Sequence, residues 1–560
     1  MSDVLEGLNQ EQLQAVTHGE GPLMIIAGAG TGKTTVITKR IAWLIEQGKA
    51  KPENILALTF TDKAANEMEE RVDRLLPLGY VDLSISTFHA FCERVLREHG
   101  IEIGLPQDFV LVTDVDAWLL MRKHLMSFGL EYYKPRGNPT RFFKMLLNHF
   151  SRAKDEGIDP DHYIANVEDL IEKVSGGAPE AFSSMPEEEK LELVKYREVA
   201  GAYKTYQELL LAEGALDFGD LLAYTVELFE KRPNVLKLYR DRFSYIVVDE
   251  FQDTNSVQYR LVKMLAAPRN NLTIVGDDDQ AIYKFRGAAL ANILKFREDY
   301  PDTAKIVLVH NYRSGPAILD IAYSSIANNN PHRLEASEGL SKRLIANTPH
   351  AGSVQHIHGA TLEDEVEVTI ETIANLRETH GAAWSDFCIL VRGNDHADPF
   401  LDALERGGIP YRFLALSGLY TKPIILDALA YLRVINVPHD SPSMYRILSH
   451  PRIGLSQADL AALMLYARRK GMSLFDLLTY ADAAGISMEG RNRIIDLLQT
   501  IAKLRDHAKR LPIVELFVAM MKGTGLLADC QAFSEIEQQE LFRQLDRFLA
   551  RLKRFSVTND

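Results

Sequence analysis

The segment Ala27-Gly28-Ala29-Gly30-Thr31-Gly32-Lys33-Thr34 sets a lysine and a hydroxyl behind three glycines, a spacing suited to gripping a polyphosphate. Glycines let the chain curl until successive N–H groups face phosphate oxygens. A helix starting at that point adds the positive end of its dipole. In such a loop Lys33 reaches the outer phosphates and Thr34 offers its hydroxyl to Mg²⁺. The run departs from GxxxxGK[ST] at Ala27, where the first glycine is expected. Two acids, Asp249-Glu250, close the apolar run Tyr245–Val248. Asp249 suits holding Mg²⁺ through water, and Glu250 suits orienting and deprotonating an attacking water. Gln280 ends Val275-Gly276-Asp277-Asp278-Asp279-Gln280 and has the character of a γ-phosphate sensor. Arg313 follows the run Ile306–Val309 and suits an arginine finger brought by a second core to the transferring phosphoryl group. The chemistry implied is metal-assisted phosphoryl hydrolysis.

Such groups need strands that end at one edge. Short apolar runs recur at Leu23–Ile26, Ile55–Thr59, Ser84–Thr87, Tyr245–Val248, Leu272–Val275, Ile306–Val309 and Cys388–Val391. Each is followed by a turn or a helix-like pattern, which predicts an α/β fold with a parallel sheet covered on both faces. The phosphate loop lies between the run Leu23–Ile26 and a predicted helix over 35–46, the strand–loop–helix context it requires. Two stretches, 101 to about 200 and about 420 to 560, lack strand runs and read as helical. In the latter, Leu541, Leu545, Phe548, Leu549 and Leu552 share one helix face, which predicts ordinary core packing.

The 560 residues carry a net charge of −14 and a pI near 5.7, which disfavours a general basic coat for nucleic acid. A local basic groove is compatible with that sum. No run is long and apolar enough to span a bilayer, and the start has no signal-peptide character, so a cytoplasmic protein is expected. Cys92, Cys388 and Cys530 lie far apart, as expected of buried thiols in a reducing compartment.

Seven ordered segments together resemble the UvrD/Rep-type superfamily 1 DNA helicases. They are Leu8-Asn9-Gln10-Glu11-Gln12, the loop at 27–34, Thr59–Ala65, Ser86-Thr87-Phe88-His89, Val247–Asn255, Val275–Ala288 and Asn311-Tyr312-Arg313-Ser314. The resemblance implies two RecA-like parallel-sheet cores of the P-loop NTPase class with helical insertions. The first core then takes 1–100 and 201–305, with an insertion at 101–200. The second core takes 306–418, followed by an insertion at 419–560. It implies ATP and Mg²⁺ as cofactors, with Gln12 and Tyr312 on the adenine and Thr35 where an arginine often packs beside it. It also implies single-stranded DNA and single-strand/duplex junctions as partners, with 3′ to 5′ movement in repair or recombination. Phe60, His89, Tyr283, Phe285, Arg286 and Asn394 stand where the family contacts the strand. Aromatic faces and phosphate contacts suit a grip that ignores sequence.

The basic, aromatic run from Tyr132 through Lys134, Arg136, Arg141, Lys144, Arg152 and Lys154 suits phosphate contact or a solvated face equally. Phe285 replaces the usual tryptophan, and Leu416–Tyr420 departs from the usual run entering the second insertion. Family motifs V and VI are not found in the sequence, so the chain is expected to be an N-terminal portion whose turnover is impaired. Two other readings remain at this point: a module that binds DNA and nucleotide without unwinding, and a P-loop phosphotransferase acting on a small substrate.

Overall fold

The computed structural model describes residues 3–76, 83–175, 186–282, 290–414, 422–479, 485–530 and 535–558. They fall into two units, Met1–His356 and Ile357–Asp560.

In the first unit the apolar runs become strands. β1 (Leu23–Ala27), β2 (Ile55–Thr59), β3 (Ser84–Thr87), β4 (Val110–Leu111), β5 (Ala215–Leu216), β6 (Tyr245–Val248), β7 (Leu272–Gly276) and β8 (Ala304–Leu308) are followed by the short pair β9 (His310–Asn311) and β10 (Ile345–Ala346). The main sheet has the order β3-β2-β6-β7-β1-β8, and every pairing in it is parallel. Successive side chains leave opposite faces of a strand. Met24 and Ile26 therefore join one core with Leu56, Ile246, Phe91 and Phe229. Leu23 and Ile25 join another, against Ile37, Ile41 and Leu44 of the helix Lys33–Glu46. Burial on both faces is why these strands read as unbroken apolar runs.

The expected boundary between residues 305 and 306 falls inside β8. This strand adds to the first sheet, with Ala27 opposite Leu308. The first helical stretch is bracketed by β4 and β5, which pair side by side at its neck. Its last helix, Glu187–Ala212, runs past the expected end at residue 200, because Tyr203, Tyr206 and Leu210 continue the buried face.

In the second unit the described helices from Pro423 onward surround one apolar cluster. Leu545 and Phe548 lie in that cluster, and Leu541, Leu549 and Leu552 pack against it, as the helical spacing predicts. The expected strand Cys388–Val391 is not a strand, and Leu390 is 89% exposed. A β run needs a neighbour to satisfy its backbone groups, and none of the described residues of this unit supplies one. Cys92 and Cys530 are buried as expected, whereas Cys388 is exposed.

Lys154 corrects a second expectation. Instead of facing phosphate it is buried, with Nζ 2.6 Å from Asp217 Oδ2 and 2.7 Å from Asp220 Oδ1. Both acids also cap the helix Phe218–Lys231. Arg136, Arg141 and Lys144 of the same run stay exposed. Beside this cluster Asn255 Nδ2 donates to Asp155 Oδ1 at 2.7 Å, joining the insertion to the segment that follows Asp249-Glu250. Burial, reinforced by the Glu156 and Asp217 charges, pushes the Asp155 carboxyl up to about 7 against the opposing bond from Asn255. Its ordinary value is 3.8. Folding therefore takes up a proton between these values, and stability falls as pH rises through that window. Asp155→Asn keeps an acceptor for Asn255 and removes the ionisation. Its unfolding temperature should exceed the parent's near pH 8, with the gap closing toward about pH 5. A gap of equal size at both pH values rejects this account.

Candidate nucleotide-hydrolysis site

The loop after β1 is shaped by two left-handed glycines, Gly30 (φ 77°) and Gly32 (φ 86°), the latter capping the helix Lys33–Glu46. A Cβ on Gly30 would stand 2.7 Å from both Arg313 Cβ and Asn311 Nδ2, so glycine is demanded by backbone and by space. Ala27 carries no such demand. It is the fully buried last residue of β1, and its methyl packs in the core, so the missing first glycine strains nothing. Gly28 faces Leu344, with a Cβ there 3.1 Å from its methyls. Thr31 is buried, and its hydroxyl donates to Gly28 O at 2.8 Å, closing the loop on itself. Thr34 and Thr35 are half-buried in the first helical turn, where both carbonyls accept from Thr38 Oγ1.

The carboxylates meet this loop because β6 and β1 end at the same edge of one parallel sheet. Lys33 Nζ donates to Glu250 Oε2 at 2.9 Å. Glu250 is held in the left-handed region (φ 48°), a conformation that costs a non-glycine residue on the order of 1 kcal/mol or more and is found at functional sites. Asp249 is buried, accepts from Glu250 N at 2.9 Å, and is pushed up to about 6 by burial and by the neighbouring Glu250 charge. Gln280 donates through Nε2 to Asp277 Oδ2 at 2.7 Å.

The adenine-side residues also converge. Asn9 and Gln12 form a reciprocal capping box at the start of the helix Gln10–Thr17. Gln12 is buried and its Nε2 donates to Thr31 O at 3.0 Å. Asn9 Nδ2 donates to the Tyr312 hydroxyl at 3.0 Å, while the Tyr312 ring stays exposed. Tyr312 and Arg313 are fixed from behind by Asn311. Its Nδ2 donates to Ala29 O at 2.6 Å, and its Oδ1 accepts from Arg313 N and Ser314 N. Tyr312 N also donates to Gly30 O at 2.9 Å. Arg313 thus reaches the loop from the segment that follows β8, within the same compact unit. The reason is β8, which returns the chain beside β1.

Phe60 and His89 leave adjacent strands, since Thr59 pairs with Thr87 in parallel register. His89 is half-buried, edge-on to Phe218 at 5.9 Å, and burial lowers its pKa against the pull of Asp62. Asn394 is exposed and opens a short turn in the second unit. Tyr283, Phe285 and Arg286 lie outside the described residues, as does the departure at Leu416–Tyr420.

Several residues escaped the sequence reading. Gln252, almost fully buried, donates to Glu250 Oε2 at 2.9 Å and accepts from Asp277 N at 3.0 Å, so it ties the second acid to the third strand end. Its signal was its place three residues past Asp249 within Val247–Asn255. Arg40 is buried and donates to the carbonyls of Ala15, Val16, His18 and Gly19, binding the loop's helix to the segment that carries Gln12; burial lowers its pKa to about 10. Nothing local marks it apart from other helical arginines.

Comparison with known proteins agrees with this geometry. Residues 8–301 match the family description "UvrD/REP helicase N-terminal domain", and residues 306–544 match "UvrD-like helicase C-terminal domain". The chain is 35% identical over 560 residues to the ATP-dependent DNA helicase PcrA of Bacillus subtilis, covering 100% of this chain and 71% of that protein. It is 34% identical over 552 residues to the protein of the same name from Staphylococcus epidermidis, covering 98% and 70%. The Leuconostoc citreum protein of that name is 33% identical over 553 residues, covering 98% and 69%. The match at 306–544 corrects the expectation of a chain lacking the family's C-terminal portion.

Proposed function

This chain belongs to the UvrD/REP helicase family, and on that premise we propose that it is an ATP-dependent DNA helicase. It hydrolyses ATP to move 3′ to 5′ along single-stranded DNA and parts the duplex at single-strand/duplex junctions during repair or recombination. The observation that carries this reading is the clamp made by Asn311, which joins the phosphate loop to Tyr312 and Arg313 through Ala29 O. Binding and hydrolysis groups then sit on one lattice of short bonds, and a change at the phosphates is felt by the strand ends beside them.

The roles follow from chemistry. Gln12 uses one amide proton on Thr31 and one lone pair on Asn9 N. One donor and one acceptor remain, the complement of adenine's N6/N7 edge. The exposed Tyr312 ring offers a stacking face. Backbone N–H groups at 28–34 and Lys33 hold the phosphates. The donor set fits a hard cation: Thr34 and the buried Asp249 would hold Mg²⁺, which would offset phosphate charge there. Glu250 takes the proton of the attacking water, Gln280 senses the terminal phosphate, and Arg313 meets the charge that develops there. Phe60 and His89, with Tyr283, Phe285, Arg286 and Asn394, form the strand contacts by stacking and phosphate binding. Stacking contributes about 1–3 kcal/mol per base. Parting one base-pair step costs about 1.4 kcal/mol on average. Grip and melting are thus of like size, and a stroke can release one to gain the other.

In this reading the first core spans 1–100 and 201–305 with the insertion 101–200, save that β8 belongs to the first core's sheet and the whole helix Glu187–Ala212 to the insertion, and 306–418 and 419–560 form the second core and its insertion. No helix among the described residues is long and apolar enough to cross a membrane, and a cytoplasmic site of action fits that. The test is the rate of ATP hydrolysis with and without single-stranded DNA, with Lys33→Ala as control. DNA should stimulate the parent strongly, and the variant should be inert under both conditions. A parent rate indifferent to DNA would sink the proposal.

A further inference from the structure

We propose that Lys342 is a positioning residue for hydrolysis, whose ammonium holds the turn Asp277-Asp278-Asp279 and so fixes the direction of Gln280. The inference rests on the reading of Gln280 as the γ-phosphate sensor.

Three consecutive acids at a strand end would repel one another, and two of them are buried. Lys342 is itself buried and spends all three of its donors on them. Nζ lies 2.7 Å from Asp277 Oδ1 and 2.9 Å from Asp279 Oδ2, and it also contacts Asp278. Arg333 grips Asp279 with two bonds of 2.7 Å, and Leu334 N donates to Asp278 Oδ2 at 2.8 Å. The Asp277 carboxylate is therefore shared: Lys342 holds one oxygen, and Gln280 Nε2 donates to the other.

From Asp277 the lattice runs on without a gap. Asp277 N donates to Gln252 Oε1, Gln252 Nε2 donates to Glu250 Oε2, and Lys33 Nζ donates to the same oxygen. Gly276 permits this path, since a Cβ there would stand 2.6 Å from Gln252 Oε1. Lys342 also lies just before β10, which pairs in parallel with β9, the strand that carries Asn311. One lysine, 62 residues beyond Gln280 in the chain, thus braces both arms of the site. The carboxylates lie close enough together to suggest a cation site, but the ammonium already fills that place.

The experiment measures DNA-stimulated ATP hydrolysis, with kcat and KM for ATP, in Lys342→Met, Gln280→Ala and the double variant. Because removing Lys342 strands three carboxylates, Lys342→Met combined with Asp278→Asn restores part of the charge balance, and thermal unfolding follows every variant. A group displaced by roughly 1 Å can cost about a hundredfold. We expect Lys342→Met to lower kcat by about that factor with KM for ATP little changed, and the double variant to fall no further than Gln280→Ala alone. Losses that multiply, an unchanged kcat in Lys342→Met, or a charge-balanced variant that does not fold would each overturn the proposal and leave a purely structural lysine. If Gln280→Ala itself hydrolyses ATP normally, the reading of the site fails, and the inference with it.

Discussion

Glu250→Gln should lower DNA-stimulated ATP hydrolysis by about 10²–10⁴-fold while leaving nucleotide bound, the range that a positioned general base contributes. The substitution is nearly isosteric and keeps an oxygen for Lys33 Nζ and Gln252 Nε2, both now at 2.9 Å. What it removes is the basicity that draws the proton from water. The Lys33–Glu250 pair sharpens the expectation. The Lys33 side chain is 11% exposed and that of Glu250 is 36% exposed, so each charge is partly withdrawn from water and answered by the other. A terminal phosphate competes with Glu250 for the same ammonium. Neutralising Glu250 relaxes that competition, so affinity for a fluorescent ATP analogue should hold or rise as turnover collapses. A variant turning over within about threefold of the parent would assign the base elsewhere.

The parts of this site that were legible in the sequence are those whose chemistry is local. The loop at 27–34 and the acids at 249–250 each follow an apolar run that is buried on both faces, and a parallel sheet sets such strand ends along one edge. What stayed hidden depends on partners far away in the chain. Gln252 stands inside the run Val247–Asn255, yet nothing in that run shows that it bridges Glu250 to Asp277. Lys342 looks like any lysine before a short strand. The left-handed backbone at Glu250 follows an ordinary β run, and acidic residues give no warning of it. The errors have the same origin. Cys388–Val391 has the composition of a strand, but composition cannot supply the neighbour that a strand must pair with. Lys154 shares a basic helix with Arg152, and only the fold reveals that it turns inward to two acids.

Arg313→Ala should lower kcat for DNA-stimulated hydrolysis by about 10³–10⁵-fold, the measure of an arginine finger. The expectation follows from where the residue is held. Its Cβ would clash with any side chain at Gly30, so it stands directly against the phosphate loop. Its backbone N–H is fixed by Asn311 Oδ1 at 2.9 Å, and that same amide is anchored to Ala29 O. The arm is therefore preorganised while the guanidinium stays exposed, ready to meet charge on the transferring group. Arg313→Lys should recover little, because a point charge cannot reproduce the planar fork. Asn311→Ala should fall between the two, since it frees the arm without removing the charge. Rapid-quench measurement of the hydrolysis step, beside equilibrium binding of an ATP analogue, separates the cases. Arg313→Ala should bind the analogue nearly as the parent does and fail at the chemical step. A loss confined to binding would make Arg313 a ground-state contact and remove it from the catalytic set.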